Sequence, residues 1–416
     1  MKGKMKKENI TRLAIYVTTF FIPFYFFRFD LSFIKTNIFE VFVLLSLILT
    51  FALSTHKKID KKIATVTVIF LLAALISVFV APDRVSALGI FKGWFVVPVV
   101  YAYCIYRNFD SKNVSRAIIP LYFSLLLVSL WAILQRYGVI HELFYQVGDS
   151  SFAAYFLEKR SFGPFESPNY LAMFLVPVMF LSLTVWQFIK DSTLKILFAI
   201  TLLLPIIALY FSASRGGLIA FLAAIVLFLL FNSYSRNPGK ESLIKTFVVI
   251  ASLLIALFAV KYYLGSRSSH EGGDSIRREI YSYSVTLVKE NTVLGIGLGN
   301  FQNKINEISK PNAAFQLYGI PFALHPHNLY LAMWLNLGIV GIISFILLIM
   351  YLFKRILFIK DSYIKALLIA AIASILVHGL VDTTYFKNDL SVIFWLMVAF
   401  TLIFKQDKPS VVSSRP

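Results

Sequence analysis

One cysteine, Cys104, occurs among 416 residues, and it lies within an apolar run. That excludes an internal disulfide framework, a thiolate zinc cluster and a cysteine-ligated iron–sulfur centre. Charge is scarce as well: 15% of the residues are charged, where an ordinary soluble domain has roughly 25%. Acid is scarcer than base, with 21 Asp and Glu against 40 Lys and Arg and a net charge of +19. In a nucleic-acid binder such an excess forms a solvated face, whereas here the cations fall in the gaps between apolar runs. The charge therefore marks membrane topology, and no nucleic-acid partner is expected. No convincing internal repeat, heptad run or long low-complexity tract is present, so one membrane domain over residues 1–416 suffices.

What fills the chain is apolar, 58% hydrophobic and 16% aromatic. A helix crossing a hydrocarbon core needs about 17–25 mostly apolar residues. Twelve such stretches occur, near 11–27, 36–54, 63–81, 87–106, 117–134, 169–188, 194–212, 216–232, 246–264, 328–352, 366–382 and 388–404. The first runs into Phe24–Tyr25–Phe26–Phe27–Arg28, which lacks a small-x-small cleavage pattern, so it reads as an uncleaved helix. The sequence predicts an all-α polytopic membrane protein with about twelve transmembrane helices and a large extracytoplasmic loop before the tenth.

Sidedness follows from the cations. With a cytoplasmic N-terminus, 24 of the 40 Lys and Arg lie on the inside, among them Lys57, Lys58, Lys61 and Lys62 after the second span. Ten of the others sit in or beside two long loops, which translocate largely regardless of charge, and only six lie in short outer segments. Both termini are then cytoplasmic, and the loops 135–168 and 265–327 are extracytoplasmic, on the face away from ATP.

Four inward-running spans begin at that outer face with polar residues, which a lipid-facing helix avoids. The tenth opens with His325–Pro326–His327–Asn328 and continues to Gly338-x-x-Gly341. Proline suits the first turn of a helix. The positive end of the helix dipole disfavours imidazolium, which leaves His327 as a neutral base near pH 7; a plain interfacial cap explains the same residues. The eighth opens with Ser212–Ala213–Ser214–Arg215–Gly216–Gly217. Free N–H groups, paired glycines and a guanidinium make a phosphate site, and a tight helical hairpin with Arg215 snorkelling to lipid is the competing reading. Ahead of the sixth stand Arg160, Glu166, Ser167, Pro168 and Asn169, with Ser167 placed to cap and Arg160 and Asn169 facing the same outer space. On the fourth, Lys92 beside Trp94 either snorkels or holds a phosphate.

The second long loop carries Arg277–Arg278 at the start of an amphipathic helix near 277–290, and then Gly295-x-Gly297-x-Gly299-x-Phe301. The glycine run follows a helix and precedes no βαβ pattern, so turn formation explains it better than a dinucleotide fingerprint. His378, Asp382 and Asp389, around the end of the eleventh span and the start of the twelfth, read as helix-packing polar groups.

Taken in order, these motifs resemble the O-antigen ligase family of membrane glycosyltransferases, which also includes O-antigen and capsule polymerases. The resemblance rests on Ser214–Arg215–Gly216–Gly217, on Arg277 four residues before Tyr281, on the glycine run, and on His327–Asn328 with nine residues to Gly338-x-x-Gly341. It implies transfer of a glycan from an undecaprenyl-diphosphate carrier to an acceptor hydroxyl at the outer face of the inner membrane. His327 falls on the family's base, Arg215 and Arg277 on its phosphate-binding arginines, and Lys92 on a further polar contact. Asn336 stands where the family often has an acid, and Tyr281 where tryptophan is commoner.

The expected partners are a lipid-diphosphate-linked glycan donor, a glycan or lipid-anchored acceptor, and the bilayer. Arginines and helix N-termini supply the charge stabilisation that a divalent metal supplies elsewhere, and the chain has no Asp-x-Asp triplet, so neither metal nor cofactor is expected. Loop aromatics Phe144, Tyr145, Tyr155, Phe156 and Tyr318 either stack on sugars or rest at the interface. A polymerase of the same family and an exporter of lipid-linked sugars are the alternatives; exporters place charge near the bilayer midplane, whereas the motifs here gather at helix ends.

Overall fold

The computed structural model describes residues 2–31, 34–54, 57–140, 160–236, 271–309 and 325–404, with isolated residues 239, 244, 247–248 and 251. Helix α1 spans Lys2–Phe20 and is followed by a 3-10 turn, Ile22–Phe24, and a hairpin of β1 (Arg28–Leu31) and β2 (Ile34–Asn37). Then come α2 (Ile38–Leu53), α3 (Lys61–Val80), α4 (Arg84–Phe91), a π turn at Lys92–Val96, α5 (Val97–Asn108), and α6 (Ile119–Arg136). They are followed by α7 (Pro168–Ser182), α8 (Ser192–Thr201), α9 (Leu203–Ser212) and α10 (Arg215–Arg236). The remainder is α11 (Glu271–Glu290), α12 (Phe301–Ser309), α13 (Leu329–Leu357), α14 (Ser362–His378) and α15 (Asn388–Ile403).

Among the described residues, seven helical segments are long and apolar enough to cross a membrane: Lys61–Val80, Arg84–Asn108, Val114–Arg136, Pro168–Phe188, Ser192–Ser212, Arg215–Ser233 and Leu329–Leu357. The shorter apolar helices are α2, α14 and α15. Rows of exposed Leu, Ile, Val and Phe on α2, α3, α8 and α13 form an exterior suited to lipid, and the chain is a membrane protein. Apart from residues 247–248 and 251, the expected span near 246–264 lies outside the described residues, and so do the loop aromatics. The regular structure among the described residues is helical apart from the short β1–β2 hairpin before α2. One bound is corrected: the first helix ends at Phe20 rather than near residue 27, with Pro23 in the 3-10 turn that follows.

Helices α7, α14 and α15 are buried on nearly every side and form the centre. Lipid tails are as apolar as leucine, so close packing and small residues, rather than exclusion of water, drive helix association here. Gly216, Ala220 and Ala224 recur every fourth residue on α10, the two alanines fully buried, and α10 lies along α14. A Cβ on Gly216 would stand 2.9 Å from the His378 ring. A second clamp joins α15 to the π turn, since the Tyr385 hydroxyl donates to the Trp94 carbonyl at 3.0 Å and receives the Trp395 indole N–H at 3.0 Å.

The tenth expected span is not one continuous helix. At Gly338 the backbone takes φ 67° and ψ −169°, a region open essentially to glycine alone. The break exposes backbone groups that the glycine-rich loop fills: Ile339 N–H donates to Thr292 O at 3.1 Å, Ile296 N–H to Leu335 O at 2.7 Å, and Gly299 N–H to the Asn336 side chain at 3.2 Å. Gly297 (φ 90°) lies so close to α3 that a Cβ would stand 2.6 Å from the Ala81 backbone. Turn formation is thus part of the glycine run's role, and backbone-to-backbone docking is the rest.

A Cβ at Gly338 would stand 2.0 Å from Val293 O. Gly338→Ala is expected to cost at least about 2 kcal/mol, read as a lowered thermal midpoint in detergent. Gly89→Ala, in α4 with nothing within 4 Å, should leave the midpoint unchanged or raise it.

Candidate active site

The start of α13 is built around Asn328, whose side chain accepts the Tyr330 and Leu331 N–H groups at 3.0 Å and caps the helix. Its amide donates to Leu380 O at 3.0 Å, and Leu329 N–H donates to Gly379 O at 2.7 Å. The α14–α15 connection is therefore clipped to the head of α13. His327 occupies the left-handed region, φ 46°, a strained position for a side-chain-bearing residue. Its carbonyl accepts the Tyr281 hydroxyl at 2.9 Å, which ties α11 to the same point.

This strained turn places two histidines against one carboxylate. Asp382 is buried in the α14–α15 connection; its N–H donates to His378 O at 3.0 Å, and its Oδ1 accepts the Thr383 N–H at 2.9 Å. That oxygen lies 3.5 Å from His327 Nδ1 and 3.9 Å from His325 Nδ1, and the two imidazoles meet edge to face at 4.3 Å. Burial alone would raise the Asp382 carboxyl, but the surrounding His327, His325 and His378 rings outweigh it and hold it below the usual carboxylate range. Burial, helped by the His327 ring, pushes His325 down to about 3, so His325 is neutral at ordinary pH.

The arginines approach from two sides. Ser214 caps α10 by accepting the Gly217 N–H at 3.2 Å, and Arg215, exposed, is the first residue of that helix. Gly216 clears room for His378, while a Cβ on Gly217 would stand 2.4 Å from Ala172 Cβ in α7. The paired glycines thus serve helix packing, and through it set Arg215 beside the His378–Asp382 connection. Arg277 is half-buried on α11 and acts electrostatically on Tyr281 and His325; Arg278 is exposed. Arg160 Nε donates to Ser212 O at 3.1 Å, and Ser161 N–H donates to Phe211 O at 2.9 Å, laying the segment before α7 on the end of α9. Ser167 caps α7, and Asn169 is half-buried in its first turn. Lys387, before α15, pairs with Glu166 at 2.6 Å.

Not every expected residue joins this group. Lys92 pairs with Glu40 at 2.7 Å and donates to Lys35 O at 2.6 Å, and no described contact links it to the histidines. Gly338 belongs to the docking of the glycine loop, and Gly341 lies one turn further along α13 against Leu337. Asn336 lies in the same docking contact, accepting from Gly299 and donating to Ala332 O, more than two turns from His327, so it does not orient that ring. Asp382, His378 and His325 were not marked as functional by sequence alone. The available signal was the spacing of His378 and Asp382, four residues and thus one helical turn apart. Asp389 is buried in the first turn of α15.

Residues 200–346 match the family model described as O-Antigen ligase, a stretch running from α8 past the Gly338 break and carrying Arg215, Arg277 and His327. The chain is also 26% identical over 203 residues to a Rickettsia felis protein named "Putative polysaccharide ligase", an alignment covering 48% of each chain. It thus spans about half the length of that curated relative.

The Glu166–Lys387 pair is partly buried, with side chains 21% and 20% exposed. A double-mutant cycle with Glu166→Gln and Lys387→Gln is expected to give a coupling of about 1 kcal/mol in thermal unfolding, above the value of a fully exposed pair.

Proposed function

We propose that the protein is an O-antigen ligase-like membrane glycosyltransferase, moving a glycan from an undecaprenyl-diphosphate carrier to an acceptor hydroxyl at the outer face of the inner membrane. The observation that carries this reading is the pairing of His327 with the buried Asp382 at the head of α13, with Arg277 acting on the adjacent His325 and Arg215 heading α10 next to Gly216, which packs on His378; His327 and both arginines lie within the stretch that matches the ligase family model. The charge asymmetry of the loops supports an outward-facing site with cytoplasmic termini, and the loop 265–327 then contributes Arg277 from outside the membrane. A donor reaching that face must arrive already activated, and a lipid diphosphate delivers both the activation and a good leaving group.

The residues divide the work. Asp382 faces Nδ1 of His327 and orients the ring, so Nε2 meets the acceptor. His327 removes the acceptor proton as the hydroxyl oxygen attacks the anomeric carbon. The carbon–oxygen bond to the diphosphate breaks in the same displacement, which inverts the configuration. Negative charge develops on the departing lipid diphosphate, where Arg215, Arg277 and the N–H groups opening α10 stabilise it. These fixed positive groups make the transfer metal-independent. A polymerase of the same family would use the same donor chemistry with a growing glycan as acceptor.

The test is transfer by purified protein in detergent, in EDTA, with a lipid-diphosphate oligosaccharide donor and either lipid A-core or a second glycan as acceptor. Product on lipid A-core identifies a ligase, and lengthened glycan a polymerase. His327→Ala and Arg215→Ala are expected to lower transfer by at least about 10³-fold, and Asp382→Asn by about 10²–10⁴-fold in kcat, with insertion and thermal midpoint retained. Full activity of His327→Ala would remove the proposed base. Movement of intact lipid-linked sugar across liposomes without any transfer would replace the enzyme by an exporter.

A further inference from the structure

The His325–His327–Asp382 group holds more donor atoms than a single base and its orienting acid require. We propose that His325 Nδ1, His327 Nδ1 and Asp382 Oδ1 form a binding site for a divalent transition-metal cation of the zinc class, and that its occupation blocks the site. The three donors lie within 4.8 Å of one another. Two separations are already 3.5 and 3.9 Å, and about 3.3 Å is needed between donors of a tetrahedral zinc ion with bonds of about 2.0–2.1 Å. Rotations of the two imidazoles close the difference. His325 Nδ1 is buried, makes no hydrogen bond among the described residues, and faces the carboxylate. Pro326 between the histidines and the left-handed backbone at His327 hold both rings on one side of the turn. The carboxylate is itself steadied by the Thr383 N–H, and the His327 backbone by Tyr281, the kind of outer support that metal ligands receive.

Two imidazole nitrogens and one carboxylate oxygen select zinc, cobalt, nickel or copper over magnesium or calcium, which prefer all-oxygen sets. The charges of Arg277 and Lys387 also reach His325, and this field further disfavours an ion held by charge attraction alone. Two histidines and one acid leave a fourth position for water. Capture of His327 by the ion removes the proposed base from use. The binding claim stands on geometry; the inhibition rests on the reading of His327 as base.

The experiment uses full-length protein carrying a tag without histidine, stripped with EDTA and desalted. Cobalt(II) is titrated and followed by visible ligand-field absorption, then displaced with zinc. One saturable cobalt per chain with nitrogen-ligand intensity, displaced by zinc and not by magnesium, is the expected result. Asp382→Asn and His325→Ala should each weaken it at least about 100-fold. Absence of saturable absorption in the unsubstituted protein, or its persistence in both variants, overturns the site. In parallel, zinc should inhibit glycan transfer and EDTA should restore it, and the transfer that His325→Ala retains in EDTA should resist zinc. Cobalt binding without any transfer activity under any condition would sink the functional reading and leave the metal site standing; binding with transfer indifferent to zinc would overturn the inhibitory part.

Discussion

Everything at the candidate site depends on how closely α10 can approach α14. In a bilayer nothing squeezes two helices together as water does, so their attraction comes from atoms in contact, and contact distance is set by the smallest residues at the crossing. Gly216, with Ala220 and Ala224 below it, lets the two backbones close until the His378 ring fills the space where a Cβ would be. Because the helices run antiparallel, the capped start of one is brought to the end of the other. Arg215 therefore arrives beside the connection that holds Asp382, and this connection is clipped in turn to the head of α13 through Gly379 and Leu380.

The other half of the charge comes from a different kind of element. Arg277 lies on α11, outside the apolar spans, and reaches the histidines because two anchors hold its segment down. Tyr281 binds the His327 carbonyl, and the glycine loop fills the backbone gap opened at Gly338. One positive group thus stands at the head of an apolar helix, next to Gly216 against His378, and the other lies on a loop helix whose charge reaches His325 and His378. The strain at His327 is borne by the cap of α13 and by Tyr281, neither of which takes part in the proton transfer assigned to His327.

How much of this was legible in the sequence depended on the range of the interaction. Apolar runs mark helices because the requirement is local, and the polar helix heads at Arg215, His327 and Ser167 stood out for the same reason. The break at Gly338 was not legible, since a glycine in an apolar run looks the same whether it bends the chain or merely packs. Asn336 stands where the resembled family often has an acid, but its partner is a backbone N–H 37 residues away in the chain. Asp382 and His378 were visible as a one-turn pair, yet only the three-dimensional clip to α13 shows what they face. Lys92 illustrates the converse: its position at a span end fitted a phosphate contact, and Glu40, from another helix, takes its charge.

The glycine loop between α11 and α12 docks through main-chain atoms, with glycines meeting backbone at Leu335, Val293 and Ala81, while Ile280, Leu287, Ile296, Phe301 and Ile305 of the segment pack with Leu335. Such a joint has little interest in which side chains the segment carries elsewhere. Under the proposed function, outward residues of that segment can change without moving Arg277, so that acceptor choice and donor chemistry can evolve on separate clocks within one loop.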